Sequence, residues 1–104
     1  MIVTNTLDIP GKKIIKILGI VKGTTVRSKH IGKDIGAGLK SLVGGELKSY
    51  TDMLSQAREE ANNRMVNEAI KMDADAIINV RFMTSAVTQA AAELLVYGTA
   101  VKLK

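Results

Sequence analysis

GGELKSYTDMLSQAREEANNRMVNEAIKMDADAIINVR, residues 44–81, is the stretch that decides the fold. Leu54, Ala57, Ala61, Met65, Ala69 and Met72 recur at steps of three and four residues, the spacing of one helix face. Arg58, Glu59, Asn62, Asn63 and Asn67 fall on the other sides. The pattern predicts an amphipathic helix opening at Ser49, whose hydroxyl can accept from a first-turn amide, with Asp52 reaching back, and running to about Met72. Its alanines allow close approach to a neighbouring layer, and its methionines fill irregular gaps. After Asp73 the period changes, and Ala76 to Thr84 reads as a strand. Helix and strand together call for one long helix laid on a sheet.

Working outward toward the N-terminus, Ile2 to Thr6 is a short strand stopped by the turn-forming Asp8-Ile9-Pro10-Gly11. A long strand follows from Lys13 to Arg27, and Ile14, Ile15, Ile17, Leu18, Ile20 and Val21 make both of its faces apolar. Ser28 to Val43 places Ile31, Ile35 and Leu39 at helical spacing but is punctuated by Gly32, Gly36 and Gly38, so a short, weak helix is expected, stopped by Gly44-Gly45. Toward the C-terminus, a polar link from Ser85 to Ala91 leads into a last strand, Glu93 to Leu103. There Leu95, Tyr97, Thr99, Val101 and Leu103 share one face, and Leu94, Val96, Gly98 and Ala100 the other. The expected fold class is α+β, a sheet plus one long helix in a single domain, residues 1–104. A helix about 30 Å long covers one face of such a sheet. The second face needs either the glycine-rich helix or identical subunits, and strands apolar on both faces favour subunits. A homo-oligomer is therefore expected.

Composition narrows the function. The chain has one His and no Cys, which excludes disulfides, thiolate metal sites and thiol nucleophiles. No apolar run approaches the roughly 18 residues of a membrane span, and no secretory signal pattern opens the chain, so no membrane partner and a cytoplasmic location are expected. The net charge of +5 is uneven, with nine Lys or Arg against three acids in residues 1–48 and six against seven in 49–104. Lys13, Lys16 and Lys22 are separated by apolar residues, as on solvated strand edges. With no basic helix, zinc finger or aromatic platform beside them, nucleic-acid binding is not expected.

Several short pieces recur in a recognisable order: Thr4, Gly19 to Gly23, Gly44-Gly45-Glu46, Tyr50-Thr51, Ala57-Arg58, Arg64-Met65, Ala74 to Arg81 and Tyr97-Gly98-Thr99-Ala100-Val101. Together they resemble the YbjQ-like family, small bacterial and archaeal proteins of undefined biochemical role labelled "putative heavy-metal-binding". The resemblance implies a dodecin-like α+β subunit assembled as a ring of five through edge-to-edge sheet contacts. Two positions depart from the family, which often carries glycine where Asp73 and Asn79 stand.

Candidate sites are few. A heavy metal prefers thiolate or imidazole ligands, and the lone His30 beside Lys29 and Lys33 reads as a solvent-facing residue. Met53, Met65 and Met72 fit core spacing better than a thioether site. Asp73, Asp75 and Glu46 could face a hard cation, but turn and cap roles explain them more simply. Leu39 between Gly38 and Lys40 breaks a phosphate-loop reading, while an anion could sit at the Ser49 helix start near Lys48 or Lys40. The binding residues singled out are Glu46, Tyr50, Arg58 and Arg81, with Glu46 expected to pair with Arg58 and fix the glycine turn. No catalytic residue and no cofactor is assigned. The expected function is a homo-oligomeric binding or scaffold protein, five-membered as the resemblance implies, with room for a metal or small ligand at subunit junctions. The alternative is an enzyme with an inter-subunit Glu/Arg pocket for a small anionic substrate.

Overall fold

Four residues at strict four-residue intervals, Ala57, Ala61, Met65 and Ala69, are fully buried and set the architecture. A computed structural model describes residues 1–28, 45–88 and 91–104, with side chains for all of these except 45–47, 87 and 88. Strands β1 (Ile2–Val3), β2 (Ile14–Ser28), β3 (Ala76–Thr88) and β4 (Ala91–Leu103) form one sheet in the order β1-β3-β4-β2, and helix α1 (Gly45–Lys71) lies on it. β1 runs parallel to β3, and β4 runs antiparallel to both β3 and β2, so the sheet is mixed. Among the described residues no helix is long and apolar enough to cross a membrane.

The helix begins at Gly45, upstream of the expected start at Ser49. Glu46, Leu47 and Lys48 are all good helix formers, so propagation toward the N-terminus outweighs the capping signal of Ser49. Its other end closes with paired reverse-turn bonds, from Ala74 N to Ala69 O at 3.1 Å and from Asp73 N to Ile70 O at 3.0 Å. Asp73 there has φ 60°, the left-handed cap position that glycine usually fills. Asn79, the second expected departure, also has positive φ, 54°. It sits in a bulge between Ile78 and Arg81 that turns two successive amides outward, Asn79 N to Thr6 O at 2.8 Å and Val80 N to Thr4 O at 3.1 Å. Those two bonds, with Thr4 N to Ile77 O at 2.9 Å, anchor the N-terminal segment to β3.

Between helix and sheet, Val21, Ala61, Met65, Ala69, Ile77, Val80, Val96 and Ala100 form the main core. The approach is closest at Gly23, where a Cβ would collide with the Ala61 carbonyl oxygen and lie 2.7 Å from Met65 N. Gly98 is also constrained, though less severely, because a Cβ there would lie 2.7 Å from Ile77 Cγ2 and 2.9 Å from Val80 Cγ2. β4 alternates as its pattern predicts, with Leu94, Val96, Gly98 and Ala100 buried beneath the helix and Leu95, Tyr97 and Thr99 half-buried on the far face. β3 and β4 extend to Thr88 and from Ala91, so most of the expected Ser85–Ala91 link is strand.

Among the described residues, the far face is covered only at one end, where Ile9, Ile14 and Leu103 pack on Ala76, Ile78 and Val101. Beyond that patch Ile17, Ile20, Val26 and Met83 are 68%, 74%, 56% and 50% exposed. The expected glycine-rich helix, which could have shielded this face, lies outside the described residues.

Candidate functional site

The two flanks of α1 are built differently. Toward β2, Thr25 Oγ1 donates to Ala57 O at 3.1 Å and Arg64 Nη1 to Thr24 O at 2.6 Å. Glu60 sits between two guanidinium groups, pairing through Oε2 with Arg27 and through Oε1 with Arg64 at 2.6 Å. The helix lies over β2 and β4 and barely reaches β3.

Toward β3 this offset leaves a cavity of about 300 Å³ lined by Val3, Thr4, Asn5, Asn62, Val80 and Phe82. Asn62 is one residue past the buried stripe and half-buried, and its carboxamide makes no hydrogen bond among the described residues. Phe82, the sole phenylalanine, is 52% exposed. The N-terminal wall is braced internally: Thr6 N donates to Thr4 Oγ1 at 3.2 Å, and Thr6 Oγ1 donates to Asp8 O at 2.6 Å. Arg81 Nη1 donates to Asn5 O at 3.3 Å and to Val80 O at 3.0 Å, clasping that wall to β3.

A second polar cluster closes the helix end. Asp75 Oδ2 accepts from Leu103 N at 2.8 Å, and its Oδ1 accepts from Lys102 Nζ at 3.2 Å. Lys102 Nζ also donates to Asp73 O at 2.9 Å and lies 3.6 Å from Asp73 Oδ2. The Leu103 amide, helped by Lys102, holds the Asp75 carboxyl below the usual 3.8. The same Asp75 bond raises Lys102 above 10.5. An ammonium therefore stands between the two aspartates considered for a hard cation, and they serve as turn and cap residues. Among the described residues no group of three or more His, Cys, Asp or Glu side chains converges as a metal site would require.

The four singled-out residues have separate partners. Tyr50 is buried at 7% exposure in the N-terminal part of α1. Arg58 is exposed and donates to Ser55 Oγ at 3.2 Å, while Arg81 holds the Asn5 and Val80 carbonyls. The Glu46 side chain lies outside the described ones. Because α1 already includes Glu46, that residue and Arg58 stand roughly 18 Å apart along one helix, beyond their joint reach within a protomer. Ser49, considered for an anion at a helix start, is an interior residue of α1. His30, Lys33 and Lys40 lie outside the described residues. Asn5, Asn62 and Phe82 carried no signal in the sequence beyond Phe82 being its one phenylalanine.

A family model described as "Putative heavy-metal-binding", that of the YbjQ proteins, matches residues 1–104. A UPF0145 protein of Methanoculleus marisnigri is 61% identical, over 99% of this chain and 96% of its own length. Another, from Hahella chejuensis, is 60% identical over the whole of both chains. Among solved structures, a protein of unknown function from Pediococcus pentosaceus, assigned to the DUF74 family, superposes with a TM-score of 0.69 at 18% identity. The superposition covers 100% of this chain and 98% of that one, and it bears on the fold alone.

Proposed function

The chain belongs to the YbjQ family described as "Putative heavy-metal-binding", and from that premise we propose that it is a self-assembling binding or scaffold protein. Sister copies cover the open sheet face, in the ring of five that the family resemblance implies, and junctions between subunits hold the ligand, metal or small molecule. The observation that carries this reading is the far face of the sheet. Ile17, Ile20 and Val26 on β2 and Met83 on β3 stand at least half exposed there beside half-buried Leu95 and Tyr97. Large apolar side chains exposed on one sheet face, with only Lys22 and Thr24 between Ile20 and Val26 on that face of β2, mark a contact region. Spread supports the same reading: the Cα radius of gyration is 16.8 Å, against about 13 Å for a compact chain of this length. Among the described residues, β2 and the outer part of β3 also have no strand partner on their outward edges, which suits edge pairing.

Sedimentation velocity at micromolar concentration tests the proposal. A single species of five chains is expected, and Ile20→Asp is expected to disperse it while leaving helix content unchanged. A monodisperse wild-type protomer would overturn it.

A further inference from the structure

We propose that the cavity between the β3 flank of α1 and the N-terminal segment binds a small, uncharged, single-ring planar molecule carrying an amide-type edge. Its lining residues all belong to one chain.

Its lining sets the ligand chemistry. Val3, Thr4, Asn5, Asn62, Val80 and Phe82 include no ionisable side chain. An ion entering would lose hydration without meeting a counter-charge, which selects against charged molecules. Arg81, adjacent in sequence to the lining residues Val80 and Phe82, is engaged with the Asn5 and Val80 carbonyls. Asn62 supplies the directional group. A carboxamide offers one acceptor and two donors, matching the donor and acceptor pair along the edge of a lactam or primary amide. Its neighbours Ala61 and Met65 are fully buried, whereas Asn62 is half-buried and its side chain makes no hydrogen bond among the described residues. Phe82 offers half of an aromatic ring for stacked or edge contact, and Val3 and Val80 add aliphatic surface. About 300 Å³ is at the small end of ligand pockets, which suits one ring and excludes a nucleotide. The walls are preformed, since Thr4 and Val80 are joined by a backbone bond of 3.1 Å.

The test titrates nicotinamide into the full chain and follows the side-chain amide signals of Asn5 and Asn62 and the ring signals of Phe82 by NMR. A saturable shift confined to these groups is expected, with Kd near or below about 1 mM. Nicotinate, of the same shape but anionic, should bind at least about tenfold more weakly. Asn62→Leu and Phe82→Ala should each abolish the saturable shift while the amide spectrum elsewhere stays that of the folded chain. Absence of a saturable shift, equal binding of nicotinate, or binding retained in both variants would overturn the proposal. None of these outcomes touches the assembly state, which sedimentation reads separately.

Discussion

The β2 flank of the helix is locked and the β3 flank is open, although one helix and one sheet supply both. On the locked side, backbone meets backbone at Gly23 and Ala61, and Thr25, Arg27, Glu60 and Arg64 add polar clamps across the seam. On the open side, the Asn62 carboxamide, unpaired among the described residues, and the exposed Phe82 line one cavity. The difference teaches that a single glycine on an edge strand sets where the helix lies. Close approach at Gly23 draws the helix toward β2, and the space it vacates over β3 becomes available to something else.

The sharpest way to break this comparison is Gly23→Ala. The new methyl group collides with helix backbone rather than with a flexible side-chain tip, so a loss of about 3 kcal/mol is expected in denaturant unfolding. A loss under about 1 kcal/mol would mean that the helix slides freely and the locked flank is not locked. Thr25→Val should remove about 1 kcal/mol, because the hydroxyl bond to Ala57 O disappears while that carbonyl keeps its place in the helix. The same measurement on the open flank should give a contrasting answer, with Asn62→Ala changing stability by no more than about 0.5 kcal/mol, as expected for a side chain without a partner among the described residues.

The smallest effect should come from Asp75, which lies on neither flank and serves as a control. Its depressed carboxyl contributes stability that is complete above 3.8 and is lost as pH falls through the lowered value. Lys102 has the opposite sign, its contribution being complete below 10.5 and lost as pH rises through the raised value. Asp75→Asn should therefore flatten the acid limb of a melting-temperature profile measured from neutral pH to below 3.8, without altering the contrast between flanks. An unchanged acid limb would show that the Leu103 amide and Lys102 do not favour the ionised form.

Much of the fold was legible because its signals are periodic. Ala57, Ala61, Met65 and Ala69 announced a buried stripe, and the alternation from Leu94 to Val101 announced two faces of a strand; both are where the spacing puts them. Asp73 and Asn79 stood out as departures from glycine, and both take positive φ. Sequence reading missed the upstream start of the helix, since a capping residue at Ser49 competes with helix formers before it, and only tertiary contact decides. It also missed the lateral offset of the helix, because the collision that fixes it joins Gly23 to Ala61 and leaves no trace in either local pattern. The cavity was invisible for a related reason. Asn5 and Asn62 come from opposite ends of a long connection, and carboxamides on a helix flank ordinarily read as solvated.

The contact at Gly23 also has a mechanical consequence. With no side chain between strand and helix at this point, β2 and α1 lack a compressible cushion there and travel as one stiff plate. β3, tethered on its outer side by a few backbone bonds near the bulge at Asn79, is the compliant leaf. A push applied from within the cavity would therefore be relayed outward along the β3 rim, and the β2 rim would scarcely feel it.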